Sequence, residues 1–227
     1  MFTEEALQSF FSSLGGQIAV GVVAVILLMA FIIILHKRQG LTIQALTYSA
    51  IAITLSVVLG QLRLFRMPQG GSVTPFSMLF IILIGYWFGP AAGILAGMTR
   101  GLLDLMIDPY VIHPLQLILD YPLAYAALGL SGFFYKNKKG LFYGLYTGAL
   151  GRFFFSFLSG YIFFAAYTPE GWHPLAWALF YNISYIGTEI VLTTILVLMP
   201  GVRHALQYIR NNILALNKNQ GNSNYKI

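Results

Sequence analysis

The 227-residue chain is 58% hydrophobic and 9% charged, whereas soluble globular domains carry about 25% charged residues; this excludes a soluble domain and indicates an integral membrane protein. It has no cysteine, hence no disulfide, thiolate metal site or cysteine nucleophile. The formal charge of +6 does not point to nucleic acid, because the basic residues bunch between apolar runs instead of lining one polar face.

In chain order, apolar runs long enough to cross a hydrocarbon core of about 30 Å fall at 15-36, 41-62, 112-134, 141-166 and 174-199. The stretch 74-107 is too long for one span. Gly89-Pro90 divides it into a short helix ending at Phe88 and a second from Pro90 to Ile107, with proline where its missing N–H does no harm. Seven helices are thus predicted, an all-α polytopic membrane bundle. The run 15-36 is not read as a secretory signal: it lacks a basic start, is long, and is followed by His-Lys-Arg-Gln where small residues should mark cleavage. It is expected to be an uncleaved extra helix. The polar stretch 211-227 is expected to fray into solvent.

Lysine and arginine collect at 36-38, at Lys136, Lys138 and Lys139, and at Arg203, Arg210, Lys218 and Lys226. With seven spans these fall on one side only if the chain starts outside, so the N-terminus is expected outside and the C-terminus in the cytoplasm. The opposite side receives segment 1-13 and the loops 63-74, 108-114 and 168-174. Three divisions follow: 1-40, an extra transmembrane helix and basic linker; 41-200, a six-helix membrane domain; 201-227, a cytoplasmic polar tail.

Glycines at 85, 89, 93, 97 and 101, and again at 140, 144 and 148, recur every four residues. Such rows let helix backbones approach where lipid supplies no hydrophobic drive, either inside the bundle or against another subunit. Ala45, Ser49 and Ala50 form a further small-residue surface, open to the same two readings.

The acids are few enough to weigh singly. Asp120, followed by Tyr121, sits within a predicted span, where a carboxylate is costly and implies a polar or cationic ligand. Asp108 before Pro109 reads as a helix terminus. Arg100 and Asp104, four apart, read as a neutralising pair. Glu189 lies seven residues after Asn182 and so on nearly the same face, for a structural bond or a ligand. Arg152, one turn before Ser156, has three outlets: pairing Asp120, pairing Glu189, or snorkelling. His113 reads as a loop residue or a ligand. Around these polar groups Tyr110, Tyr121, Phe164 and Trp177 offer aromatic faces, and a ring face beside a carboxylate suits a flat, cationic ligand. Arg63, Gln69, Ser72, Gln116, Glu170 and Trp172 complete the polar gathering.

No phosphate loop G-x-x-x-x-G-K-[ST], H-E-x-x-H or G-x-S-x-G occurs, so an enzyme, a cofactor or a metal is not expected. Asp104 and Asp120 as an aspartyl dyad, and an ion-driven secondary transporter using Glu189 or Asp104, are the rival readings.

The segments Met67-Pro-Gln-Gly-Gly-Ser-Val-Thr-Pro-Phe-Ser-Met78, Gly89-Pro-Ala-Ala-Gly-Ile-Leu-Ala-Gly97, Asp108-Pro-Tyr-Val-Ile-His-Pro114, Leu119-Asp-Tyr-Pro122, Gly151-Arg152 through Ser159-Gly160, Ala166-Tyr-Thr-Pro169 and Tyr181-Asn-Ile-Ser-Tyr185, taken as an ordered set, resemble the thiamine-specific substrate-binding subunit of energy-coupling factor transporters (the ThiT or YuaJ family). The resemblance implies a six-helix core, here with one extra N-terminal helix, that captures thiamine outside for ATP-driven uptake. It implies a transmembrane coupling subunit and two cytoplasmic ATPases as partners in the plasma membrane. It also implies a pocket made of Asp120, Tyr121, Tyr110, Asn182, Arg152, Ser156, Phe164 and Trp177. Ser156 stands where the family pattern has histidine and Phe164 where tryptophan often stacks, so a thiamine precursor or analogue stays open as the ligand.

Overall fold

The computed structural model describes residues 43-137 and 139-223, with side chains through 215, and positions 6, 9-11, 13-16, 18, 19, 22 and 26 near the N-terminus. Of the predicted span 15-36, positions 15, 16, 18, 19, 22 and 26 are helical. The rest of that span, the basic cluster 36-38, Glu4, Glu5, Lys138 and Lys226 lie outside the described residues.

From residue 43 the chain is helical almost throughout. Helix α1 (Ile43–Gln61) leads into a small antiparallel hairpin, β1 (Phe65–Arg66) with β2 (Ser72–Val73), paired Phe65 to Val73 and Arg66 to Ser72. Then follow α2 (Ser77–Phe88), α3 (Pro90–Ile107), α4 (Pro114–Phe134), α5 (Gly140–Phe163), α6 (Pro174–Leu198) and α7 (Pro200–Ser223). Among the described residues, α1, α3, α4 and α6 have the length and apolarity to cross a membrane. Helix α5 has the length, 24 residues, but its glycines and tyrosines make it less apolar.

The predicted break between α2 and α3 is present. Gly89 joins them at φ 93°, a conformation that glycine alone adopts without strain, and Pro90 opens α3. Two further helices open on the dipeptide His-Pro. The Nδ1 of His113 accepts the Leu115 N–H at 3.1 Å, and that of His173 accepts the Leu175 N–H at 3.3 Å, each satisfying a donor that a helix start otherwise leaves unpaired. His113 is therefore a cap, stacked on Phe163, and not a ligand-facing group.

Helix α2 is the centre of the bundle: all its residues except Phe80 and Phe88 are buried. Helix α1 lies at the edge, with 22% of its apolar window covered. Its Ile43, Ile51, Leu55 and Val58 are exposed, as a lipid-facing surface requires.

The glycine rows pack inside the molecule. A Cβ on Gly97 would stand 2.7 Å from the Tyr125 carbonyl carbon, and one on Gly101 2.7 Å from that of Tyr121; both distances are forbidden to real side chains. From the other side, Gly144 and Gly148 meet the backbone of Ser131 and Leu128. Helix α4 is thus pressed between α3 and α5, and this contact delivers Asp120 and Tyr121 to the interior.

Segment 211-223 does not fray: α7 runs to Ser223, with Ile213 1% exposed among the core residues that include Tyr86, Trp87 and Val197. Arg210 is buried too and donates to the carbonyl of Tyr135 at 2.5 Å. Polar composition suggested a loose tail, but four residues of one helical stripe, Leu206, Ile209, Arg210 and Ile213, suffice to dock it.

Candidate functional site

The loops following α1, α3 and α5 gather at one end of the bundle, called the upper end below, and beneath them opens a cavity of about 280 Å³. That is close to the lower bound of small-molecule sites, roughly 300–1,000 Å³. Its wall includes Asp120, Tyr121, Tyr110, Asn182, Trp177, Phe164, Ser156 and Arg152, so the structure brings all eight candidates of the sequence to one place. Arg63, Gln69, Ser72 and Gln116 also line it. His113, Glu170, Trp172 and Glu189 do not.

Asp120 and Tyr121 reach the cavity through a local widening of α4. Residues Leu119–Leu123 form a π-turn, and Pro122, which has no N–H, cannot close the ordinary helical bond there. A second π-turn, Ile183–Gly187, follows Asn182 on α6 and carries Tyr185. Both helices swell where they face the cavity.

The Oδ2 of Asp120 accepts from Gln116 Nε2 at 2.7 Å and from Ser159 Oγ at 2.8 Å. Among the described residues no bond falls on its Oδ1 and no cation pairs with it. One carboxylate oxygen is therefore held in place while the other can meet a ligand. Helix α5 provides a depth scale, at 1.5 Å per residue: Phe164 ends it at the top, Ser159 with Asp120 lies below, then Ser156, and Arg152 lies deepest.

The rings form two walls. Tyr110 stacks on Phe164, centroids 5.9 Å apart and planes 21° apart. Across α6, Trp177, Tyr181 and Tyr185 follow one another at 6.1 and 5.8 Å. The Tyr121 hydroxyl is occupied with structure, accepting the Tyr110 N–H at 2.7 Å and donating to the Asp108 carbonyl at 3.3 Å. Asn182 donates to Ala178 O at 2.9 Å and accepts from the Tyr185 hydroxyl at 3.0 Å.

Arg152 does not snorkel, and it pairs with neither Asp120 nor Glu189. Its guanidinium lies over the Tyr125 ring, 4.2 Å from the centroid. Glu189 is spoken for. Its carboxylate accepts from Thr74 Oγ1 at 2.6 Å, Ser77 Oγ at 3.0 Å and the Met78 N–H at 2.8 Å, capping α2 from a neighbouring helix. Replacing it with glutamine turns one acceptor toward these donors into an NH₂, so Glu189→Gln should destabilise by about 3 kcal/mol, read as a lower melting temperature in detergent. An unchanged melting temperature would contradict the capping role.

Asp104 and Asp120 do not form a dyad. Asp104 pairs with Arg100 at 2.8 Å, as its spacing predicts, and accepts from the Tyr125 hydroxyl at 2.6 Å, and no bond joins the two acids. Asp108 ends α3 and at the cavity mouth pairs through Oδ2 with Arg63 at 2.6 Å and Arg66 at 3.2 Å.

Tyr125, Tyr181, Tyr185 and Ser159 were not among the predicted site residues. Helical spacing was the available signal: Tyr125 follows Tyr121 by four, Tyr181 and Tyr185 follow Trp177 by four and eight, and Ser159 follows Ser156 by three. Tyr181 also ties down the hairpin, accepting the Gly71 N–H at 2.9 Å and donating to the Pro68 carbonyl.

Fold and site together define a helical membrane protein with a small-molecule cavity between its helices. The chain belongs to the family described as Thiamine transporter protein (Thia_YuaJ), whose model matches residues 46–208. It is 31% identical over 173 residues, 70% of this chain and 88% of the other, to "Thiamine transporter ThiT" of Bacillus subtilis strain 168. It is 27% identical over 179 residues, 71% and 87% of the two chains, to "Thiamine transporter ThiT" of Lacticaseibacillus paracasei ATCC 334. A solved structure titled "Native-SAD phasing for ThiT from Listeria monocytogenes serovar." shares the fold, with a TM-score of 0.55 at 23% identity over 77% of this chain and 95% of that one.

Proposed function

We propose that the protein is a thiamine-binding membrane transport component that captures the vitamin in this cavity, with Asp120 facing its cationic thiazolium. The role is transport rather than catalysis, in keeping with the relatives' names. The observation that carries the ligand assignment is Asp120 itself, half engaged by Gln116 and Ser159 and set among Tyr110, Phe164 and Trp177. Anion and ring faces attract the same flat cation. Asn182 and Ser156 supply polar contacts to its uncharged half.

The upper end then faces outside, the C-terminus faces the cytoplasm, and the membrane is the plasma membrane, in keeping with the clustering of lysine and arginine at the other end. Energy comes from separate chains, a transmembrane coupling subunit and two ATPases of the energy-coupling factor type. Ser156 and Phe164 favour a second candidate ligand, a thiamine precursor or analogue. Calorimetry of the purified protein with thiamine, its phosphates and its two ring precursors tests both: submicromolar binding of thiamine supports the first, and tighter binding of one ring precursor replaces it with the second.

A further inference from the structure

Tyr125 is the middle of a three-layer stack at the deep end of the cavity. The Arg100 guanidinium lies 4.9 Å from its ring centroid and that of Arg152 4.2 Å. One outer layer has a carboxylate partner. Arg100 pairs with Asp104 at 2.8 Å and donates through Nε to Ser56 Oγ at 3.2 Å, and Ser56 in turn donates to the Ser77 carbonyl at 2.8 Å. The ring is pinned as well, because its hydroxyl donates to the other oxygen of Asp104 at 2.6 Å.

Among the described residues Arg152 has no such carboxylate within pairing distance, whereas Arg100 keeps one although its own Nη1 also lacks a hydrogen bond. The Arg152 Nε is buried without a hydrogen-bond partner. Asp104 cancels the charge of Arg100, so the net positive charge of the stack resides on Arg152, which lines the cavity. A cation held in a membrane bundle by a ring face alone is costly, and the cost is offset only by what enters beside it. Arg152 lies seven residues before Ser159, the serine that holds Asp120, hence about 10 Å deeper along α5. A ligand whose cationic ring sits at Asp120 therefore brings its uncharged half to Arg152.

We propose that Tyr125, locked by Asp104 and Arg100, is a positioning residue that presents the Arg152 guanidinium to a hydrogen-bond-accepting group on the uncharged half of the ligand. This rests on the thiamine reading, whose aminopyrimidine ring carries such acceptors. Tyr125→Phe keeps the ring beneath Arg152 but cuts its link to Asp104, so the guanidinium loses its fixed support.

The test is a double-mutant cycle on the full chain, read as the thiamine dissociation constant. Tyr125→Phe is expected to weaken binding about tenfold in the native background, the scale of one hydrogen bond to a charged group, and less than about twofold in Arg152→Met. Arg152→Lys, which keeps the charge but not the planar fork, provides a second background with the same expectation. Equal weakening with and without Arg152, or none in the native background, overturns the proposal, because a merely structural tyrosine would act regardless of Arg152. Should Tyr125→Phe fail to fold, as judged by its melting temperature, Tyr125→Leu, which removes the ring but leaves the Arg100–Asp104 pair in place, replaces it in the same cycle. Absence of thiamine binding by the unmutated protein would instead overturn the ligand reading, and this inference with it.

Discussion

Asp120→Asn is expected to weaken thiamine binding by at least about 100-fold, whereas Asp108→Ala should change it less than about fivefold. Both acids line the same cavity, yet their surroundings assign them different work. Asp108 is already satisfied, with Arg63 and Arg66 on one oxygen at 2.6 and 3.2 Å, and it is exposed enough for those pairs to be worth little. Asp120 has no cation of its own among the described residues, and its Oδ2 is fixed by Gln116 and Ser159. Asparagine keeps an oxygen for those two donors, so the fold should survive, and what disappears is the charge that a bound cation would meet away from water. Removing one partner of such a pair costs about 2–5 kcal/mol, which brackets the predicted factor. Calorimetry on the two purified variants, with melting temperatures as a folding control, decides it. Comparable losses at both positions would end the assignment of Asp120.

The helices from residue 43 on were legible because lipid imposes a length and an apolarity that a spanning sequence must display, and Gly89-Pro90 announced the one sharp joint inside an apolar stretch. The capping histidines at 113 and 173 were half legible: His-Pro marks a helix start, but only geometry tells a cap from a ligand. The glycine rows revealed close approach and concealed the partner, since Gly97 and Gly101 would read the same against another subunit as against Tyr125 and Tyr121. The two π-turns were hidden. Pro122 hints at the first, but in Ile183-Ser-Tyr-Ile-Gly187 only Gly187 is a poor helix former, and a lone glycine does not announce a bulge. Tyr181 and Tyr185 escaped notice as well, because helical rotation decides which of fourteen tyrosines face inward. Arg152 was expected to find an acid or to snorkel, because charge-pair reasoning counts carboxylates and water, and a tyrosine face is the alternative it overlooked. Helix α7 was misjudged for a related reason: a polar composition averages over a helix, while docking needs only one stripe.

Placed alone in proteoliposomes, the protein is expected to bind thiamine but not to accumulate it, with or without a proton or sodium gradient; uptake should appear when a coupling subunit and two ATPases are added with ATP. A self-sufficient ion-driven carrier needs an acid that can exchange its ion while the carrier cycles. Glu189 is engaged by three donors that cap α2, and Asp104 has one oxygen on Arg100 and the other on Tyr125. Protonating either would break the contacts that hold the helices together. Asp120 is proposed to face the ligand, and the sequence shows no G-x-x-x-x-G-K-[ST] phosphate loop. On the proposed reading, net uptake therefore draws its energy from the separate coupling and ATPase chains. Gradient-driven accumulation by the protein alone, abolished by Glu189→Gln or Asp104→Asn in folded protein, would overturn the dependence on partners and make this a secondary transporter.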